Sequence, residues 1–564
     1  MCMLSSIFAF TLFLWTELIG FDNTAKDYGV DEYLSRMVRK PDGISLLLNS
    51  DQFFRNYDRK LGNFKLLPDC SSYWARPNNA ERYRQDWTTD QLKGLVATLK
   101  DRGIEVYAAF FDDADNLPTT DANMKTIAVR LTDFLVDFGF SGLHCADGYA
   151  PPRYGIPSDS TPEERIERAY KAAERYAANI RVFVDHFHPK GLKIYMNTCW
   201  ARDPYEAMYR YGVDYRLLAK TGVDGFIVES SAAAQELEGW TKTAASATDK
   251  STAMLIRLRG AAPDLKFVML HAINDSTEQW SALRHSPSAT RSEALAMGTV
   301  FYNGKRALDG YLACLSDGIR PEEWKELDKS WSLSFTDIVE PVGVHVVWSD
   351  RAFDKEFREC VLSYDASSQT LLTDLIDQGL IVHSGVSVDY AVAHPDLPIL
   401  VLNPEFFPED ELAALRCRSS KLYEFGRGAR PPYFSEYVPC ADRKQPASRW
   451  YPLPENRPTV SCTRSAAMNI NWRVDPYEFR TEHVKSWGVK LPDGRLGIFA
   501  RNDQDVYTTA EFIIHDCISD VKVHTDFPVT PPGTVLNCRI APRDTVFFSV
   551  KEVKFPLPKQ EEPK

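Results

Sequence analysis

The sequence predicts an α/β protein: an N-terminal (β/α)8 TIM barrel, then a small α/β domain, then a C-terminal β-sandwich. Three observations carry this expectation. Short, β-rich apolar runs alternate with helical patterns from residue 7 to residue 302, as in βα units around a parallel sheet. The texture then shifts to short strands and helices as far as Phe425. Beyond a Pro-, Arg- and Ser-rich stretch at 431–458, only strand patterns remain. A chain of 564 residues is also too long for a single core.

The expected barrel strands are Ile7–Trp15, Ile44–Asn49, Ile104–Phe111, Gly142–Ala146, Leu192–Thr198, Gly225–Val228, Lys266–Leu270 and Thr299–Tyr302. Between them, Ile127, Leu131, Phe134, Leu135 and Phe138 keep helical spacing, and Thr161, Pro162 and Glu164 form a capping box with a first-turn proline. Ile7–Trp15 has no preceding Lys or Arg and no small-residue cleavage site, so we read it as strand one rather than a signal peptide. After the barrel come Val344–Trp348, a helix over Leu371–Leu380, Ile381–Val388, Ile399–Asn403, a helix over Glu409–Arg416 and Lys421–Phe425. The C-terminal strands are His483–Leu491 and Arg495–Arg501 around the turn Pro492-Asp493-Gly494, then Thr509–His515, Val521–Thr525 and Val546–Val550. The expected boundaries are 1–337 for the barrel, 338–430 for the α/β domain, 431–458 for a linker and 459–564 for the sandwich.

Composition excludes some functions. A net charge of −12 argues against a nucleic-acid partner, which needs a basic face to neutralise phosphates. No run is long enough to cross a bilayer, so no membrane partner is expected. The 11 cysteines form no CxxC pair, which favours a reducing, cytoplasmic setting over a disulfide framework. No P-loop or GxGxxG accompanies the α/β domain, and no cofactor is expected.

Barrel enzymes carry their chemistry at the C-terminal ends of the strands. Here the third run is followed by Asp112 and Asp113; the fourth carries His144 and leads into Asp147. The fifth leads into Asn197, Trp200, Arg202 and Asp203, the sixth into Glu229, and the seventh into His271, Asn274 and Asp275. Glycosidic bonds are cleaved by two carboxylates, one protonating the leaving oxygen and the other attacking the anomeric carbon or activating water. Asp147 and Glu229 are the candidate pair, with either able to take either role. Asp112, Asp113, His144, Asn197, Trp200, Arg202, His271 and Asp275 are the candidate substrate-binding set. Strand-end carboxylates also cap helices or pair with arginine, and buried histidines are often structural. A metal site from Asp112, His144, Asp147 and His271 lacks any HxH or HExxH spacing, so no metal is expected. The reading is therefore a glycosidase acting on a carbohydrate substrate. A transglycosylase or phosphorylase on the same scaffold, or a non-catalytic carbohydrate-binding protein, are the alternatives.

The order of modules resembles the family 42 β-galactosidases and their relatives, which carry a barrel, a flavodoxin-like trimerisation domain and a β-sandwich. Three segments carry the resemblance: Phe267–His271 with Trp280 and Ser292–Tyr302, Ile399–Phe425, and Gly497–Asn502 with Ile540–Asp544. The resemblance implies that architecture and a homotrimer. It departs where that wider clan places its catalytic glutamates. Strand four has Ala146-Asp147 in place of Asn-Glu, and the strand-seven glutamate position holds His271, with Asp275 four residues on. β-Galactosidase activity is therefore not carried over.

Overall fold

The computed structural model describes residues 13–18, 21–48, 64–65, 86–111, 121–146, 161–198, 204–229, 247–271, 274–275, 280–314, 316–363, 367–418, 421–426, 460–479, 481–530, 533 and 535–553. Eight parallel strands close into a barrel: β1 (Phe13–Leu18), β2 (Gly43–Leu48), β3 (Glu105–Phe111), β4 (Gly142–Ala146), β5 (Lys193–Asn197), β6 (Gly225–Glu229), β7 (Lys266–His271) and β8 (Gly310–Ala313). Neighbours pair in sequence order, and β1 closes the ring by pairing with both β2 and β8.

The strand period of two sorts side chains between two cores. Ile44, Leu46, Val106, Ala108, Phe226 and Met269 face outward and join the helices in one continuous apolar cluster. Tyr107, Tyr195, Ile227, Val268, Leu270 and Leu312 form a separate cluster inside the ring. Gly225 is needed there because a Cβ would sit 2.4 Å from the Lys266 carbonyl oxygen and 2.9 Å from the Tyr195 ring. At the N-terminal end, Lys193 pairs with Glu105 at 2.6 Å, and the Tyr107 hydroxyl donates to the same carboxylate.

The helices follow local signals. Thr88 with Gln91, and Thr161 with Glu164, form reciprocal capping boxes that start Thr89–Asp101 and Pro162–Phe187.

Two barrel strands differ from expectation. The first is Phe13–Leu18, and residues 7–12 lie outside the described residues. The eighth is Gly310–Ala313, not Thr299–Tyr302. Phe301–Tyr302 instead forms a hairpin with Lys305–Arg306. Its two-residue turn is Asn303-Gly304, with φ of 48° and 72°. Positive φ at both central residues is what a tight hairpin turn requires, and Asn-Gly supplies it at low cost.

That hairpin forms one edge of a second sheet. Its other strands are β9 (His345–Trp348), β10 (Ser384–Ser387), β11 (Ile399–Leu402) and β12 (Leu422–Phe425), all parallel, with β9 between β10 and β11. The apolar cluster outside the barrel runs on without a break into Val346, Trp348 and Leu400 of this sheet. The C-terminal region, with Glu340–Pro341 as one edge strand, forms antiparallel sheets of five and three strands that share one core, including Phe512, Leu536, Ile498 and Phe548. The expected hairpin appears as Val484–Lys490 paired with Leu496–Asn502. Helix Val460–Val474 and strands Tyr477–Phe479 and Val535–Ile540 were not expected from the sequence. The expected linker at 431–458 lies outside the described residues.

Stacked rings tie the C-terminal sheets to the rest. His383 lies on Trp487 at 4.6 Å, Trp487 on Phe499 at 5.2 Å, and Phe499 on Phe547 at 4.0 Å. The Trp487 indole N–H donates to Thr299 at the end of a barrel helix.

Candidate active site

Of the sequence candidates, the structure describes His144 on β4, Asn197 on β5, Glu229 on β6, His271 on β7 and Asp275 after β7. Ala146 is the last residue of β4, and Asp147, next in sequence, lies outside the described residues. Glu229 is the last residue of β6, in register with Leu270 of β7 and two positions beyond the inward-facing Ile227. Phe111 and Ala146 are register partners at the ends of β3 and β4. Asp112, Asp113, Trp200 and Arg202 lie outside the described residues. Asp275 lies in a short ladder after β7, opposite Trp280.

His144 and Asn197 project into the ring and touch. The His144 Nε2 lies 2.7 Å from the Asn197 Oδ1, and its Nδ1 lies 2.9 Å from the Ser45 Oγ. Burial pushes the His144 pKa down to about 4, against the opposing pull of its bond to Asn197. The ring is therefore neutral near pH 7. Ser45 was not singled out in the sequence, although it is the lone polar residue in the run Ile44-Ser45-Leu46-Leu47-Leu48.

His271 has a different setting. Leu270 faces the ring interior, so the strand period turns His271 outward, towards the helices. Its Nε2 donates to the Thr290 carbonyl at 2.8 Å, and its Nδ1 accepts from the Trp331 indole at 3.1 Å. The buried Glu293 carboxylate is 3.7 Å from Nε2. Burial lowers the His271 pKa to about 4, with the Thr290 bond opposing. Both ring nitrogens are engaged behind the barrel wall.

A cleft of about 890 Å³ lies away from this rim, at the C-terminal edge of β9 and β10, where Trp348, Ser349, Arg351, Asn303 and Ser387 line it. Several of its polar groups bond to one another: Ser349 to Glu411 at 2.6 Å, Arg351 to Asp410 at 2.6 Å, and the Trp348 indole to Asp350 at 2.8 Å. Among the described residues, no group of three His, Cys, Asp or Glu is placed to hold a metal ion. No described helix is long and apolar enough to cross a membrane.

No protein-family model and no curated protein matches the chain. Solved structures do. The α-L-fucosidase isoenzyme 2 from Paenibacillus thiaminolyticus superposes with a TM-score of 0.54 at 10% identity, covering 96% of this chain and 100% of that one. A putative α-galactosidase/melibiase from Bacteroides fragilis gives 0.40 at 9% identity, covering 96% of this chain and 80% of that one. The first likeness spans nearly the full length of both chains and, at that identity, shows a shared fold alone. The second is too slight to argue from.

Proposed function

We propose that this protein is a glycoside hydrolase acting on an α-linked glycoside, with Asp147 and Glu229 as its two carboxylates. The observation that carries the reading is their position. Glu229 is the last residue of β6, Asp147 is the residue after β4 in sequence, and the C-terminal ends of the strands of a closed parallel barrel are where such folds carry their chemistry. The full-length likeness to a solved α-L-fucosidase supports the reading and makes α-L-fucosides the first substrates to try.

In this mechanism one carboxyl protonates the departing glycosidic oxygen. The other attacks the anomeric carbon or activates water as the bond breaks. The mechanism requires the acid to be protonated at working pH while its partner is ionised. We assign Asp147 as nucleophile or base and Glu229 as acid/base. Asp112, Asp113, Asn197, Trp200, Arg202 and Asp275 then hold the sugar, while His144 and His271 hold protein groups in place. The parallel sheet of β9–β12, taken as a flavodoxin-like module, is the proposed trimer contact, followed by a β-sandwich.

The test is hydrolysis of paired α- and β-linked aryl glycosides by the full chain, Asp147→Asn and Glu229→Gln. Activity lost by several orders of magnitude in both variants supports the assignment. Activity retained in both moves the chemistry to other rim carboxylates.

A further inference from the structure

The bond pattern around His144 has a direction. Asn197 Oδ1 only accepts, so the hydrogen of that 2.7 Å contact belongs to His144 Nε2. A neutral imidazole carries one hydrogen, so Nδ1 is an acceptor and the Ser45 hydroxyl donates to it across 2.9 Å. The order is Ser45 O–H to His144, then His144 N–H to the Asn197 carbonyl oxygen. Ser45 is on β2, His144 on β4 and Asn197 on β5, so the first link joins strands that are not neighbours and the second joins strands that are. The first link crosses β3 where the register partner of His144 is Ala109, whose side chain is only a methyl group.

With its oxygen held by His144, the Asn197 amide must turn its NH2 the other way. Asn197 is the last residue of β5, and among the described residues that NH2 has no partner. A buried histidine fixed on both sides cannot itself contact a ligand, but it can hold the group that does. Removing the neighbouring donor would free the ring to change tautomer and the amide to flip.

We propose that Ser45 and His144 are positioning residues that lock the Asn197 amide with its NH2 towards the barrel mouth, where it donates to one hydroxyl oxygen of a bound pyranose. This rests on the carbohydrate reading of the rim but requires no turnover.

The test is calorimetric titration of the full chain with free L-fucose, D-galactose, D-glucose and D-mannose. The monodeoxy forms of the tightest binder are titrated next. Asn197→Asp keeps an oxygen for His144 but presents an acceptor where the donor was. It should bind the parent sugar about tenfold more weakly, and one monodeoxy sugar as well as the wild type does. His144→Phe should show the same pattern, His144→Gln should recover most of the loss, and Ser45→Ala should fall between. Wild-type affinity in Asn197→Asp overturns the proposal, as does an equal loss for every sugar and deoxy sugar. If His144→Phe does not fold, Asn197→Asp and Ser45→Ala still decide. Hydrolysis by the wild type with unchanged binding in Asn197→Asp overturns this inference alone. Binding with the expected pattern but no hydrolysis overturns the glycosidase reading alone. A wild type that neither binds nor cleaves any sugar overturns both.

Discussion

Asp475 sits between helix Val460–Val474 and strand Tyr477–Phe479, only 5% exposed, with neither carboxyl oxygen hydrogen-bonded among the described residues. Burial alone pushes its pKa from 3.8 to about 8. The folded protein therefore keeps this proton up to about pH 8, while the unfolded chain releases it near 3.8. Between those values the folded state binds more protons, so this group lowers stability progressively as pH rises. Asp475→Asn is neutral at every pH and removes the effect. At about 1.4 kcal/mol per pH unit above the unfolded value, the variant should be more stable by about 2 kcal/mol at pH 5, about 4 at pH 7 and about 6 at pH 9. Urea unfolding followed by circular dichroism at those three pH values measures the difference. A difference that does not grow with pH would refute the reasoning, because it would mean that the carboxyl is solvated or paired.

In the Asp475→Asn background the opposite pH trend should emerge below neutrality. His144, His271 and His383 are each held neutral by burial, with pKa near about 4, so the unfolded chain takes up protons that the folded one refuses. Stability is then full above pH 6.5 and lost as pH falls, by about 2 kcal/mol per histidine at pH 5. Unfolding midpoints between pH 7 and pH 5 check this. Arg501→Met should destabilise by about 3–5 kcal/mol, because the buried Asp249 would lose the guanidinium held 2.6 Å from it. Gly225→Ala should cost about 1–3 kcal/mol by forcing the Tyr195 ring and the Lys266 carbonyl apart, readable as a lower melting temperature. Light scattering should return a trimer, and a monomer would count against the role proposed for β9–β12.

The barrel was legible because its strands are apolar runs of the right length set between helices with strong caps, such as Thr161-Pro162-Glu164. The eighth strand was not, because Gly310–Ala313 is four residues long and less conspicuous than the apolar run before it. The Asn303-Gly304 pair did signal that the earlier run turns back on itself. Tyr477–Phe479 is too short to stand out by periodicity. For the rim, sequence supplied Asp147 and Glu229 as strand-end carboxylates. It could not separate His144 from His271, since which face of the barrel wall a strand residue takes depends on register. Only the structure turns His144 into the ring and His271 towards Trp331. Ser45 acquires a reason only once β2 and β4 are seen to face each other across β3.

The central claim is that two rim carboxylates cleave a glycosidic bond. Its most direct test is the initial rate of aryl α-glycoside hydrolysis, α-L-fucoside first, by wild type, Asp147→Asn and Glu229→Gln at equal folded concentration. The account predicts measurable turnover on at least one α-glycoside, falling by several orders of magnitude in each variant. Wild-type rates in both variants, or no turnover on any glycoside, would contradict it.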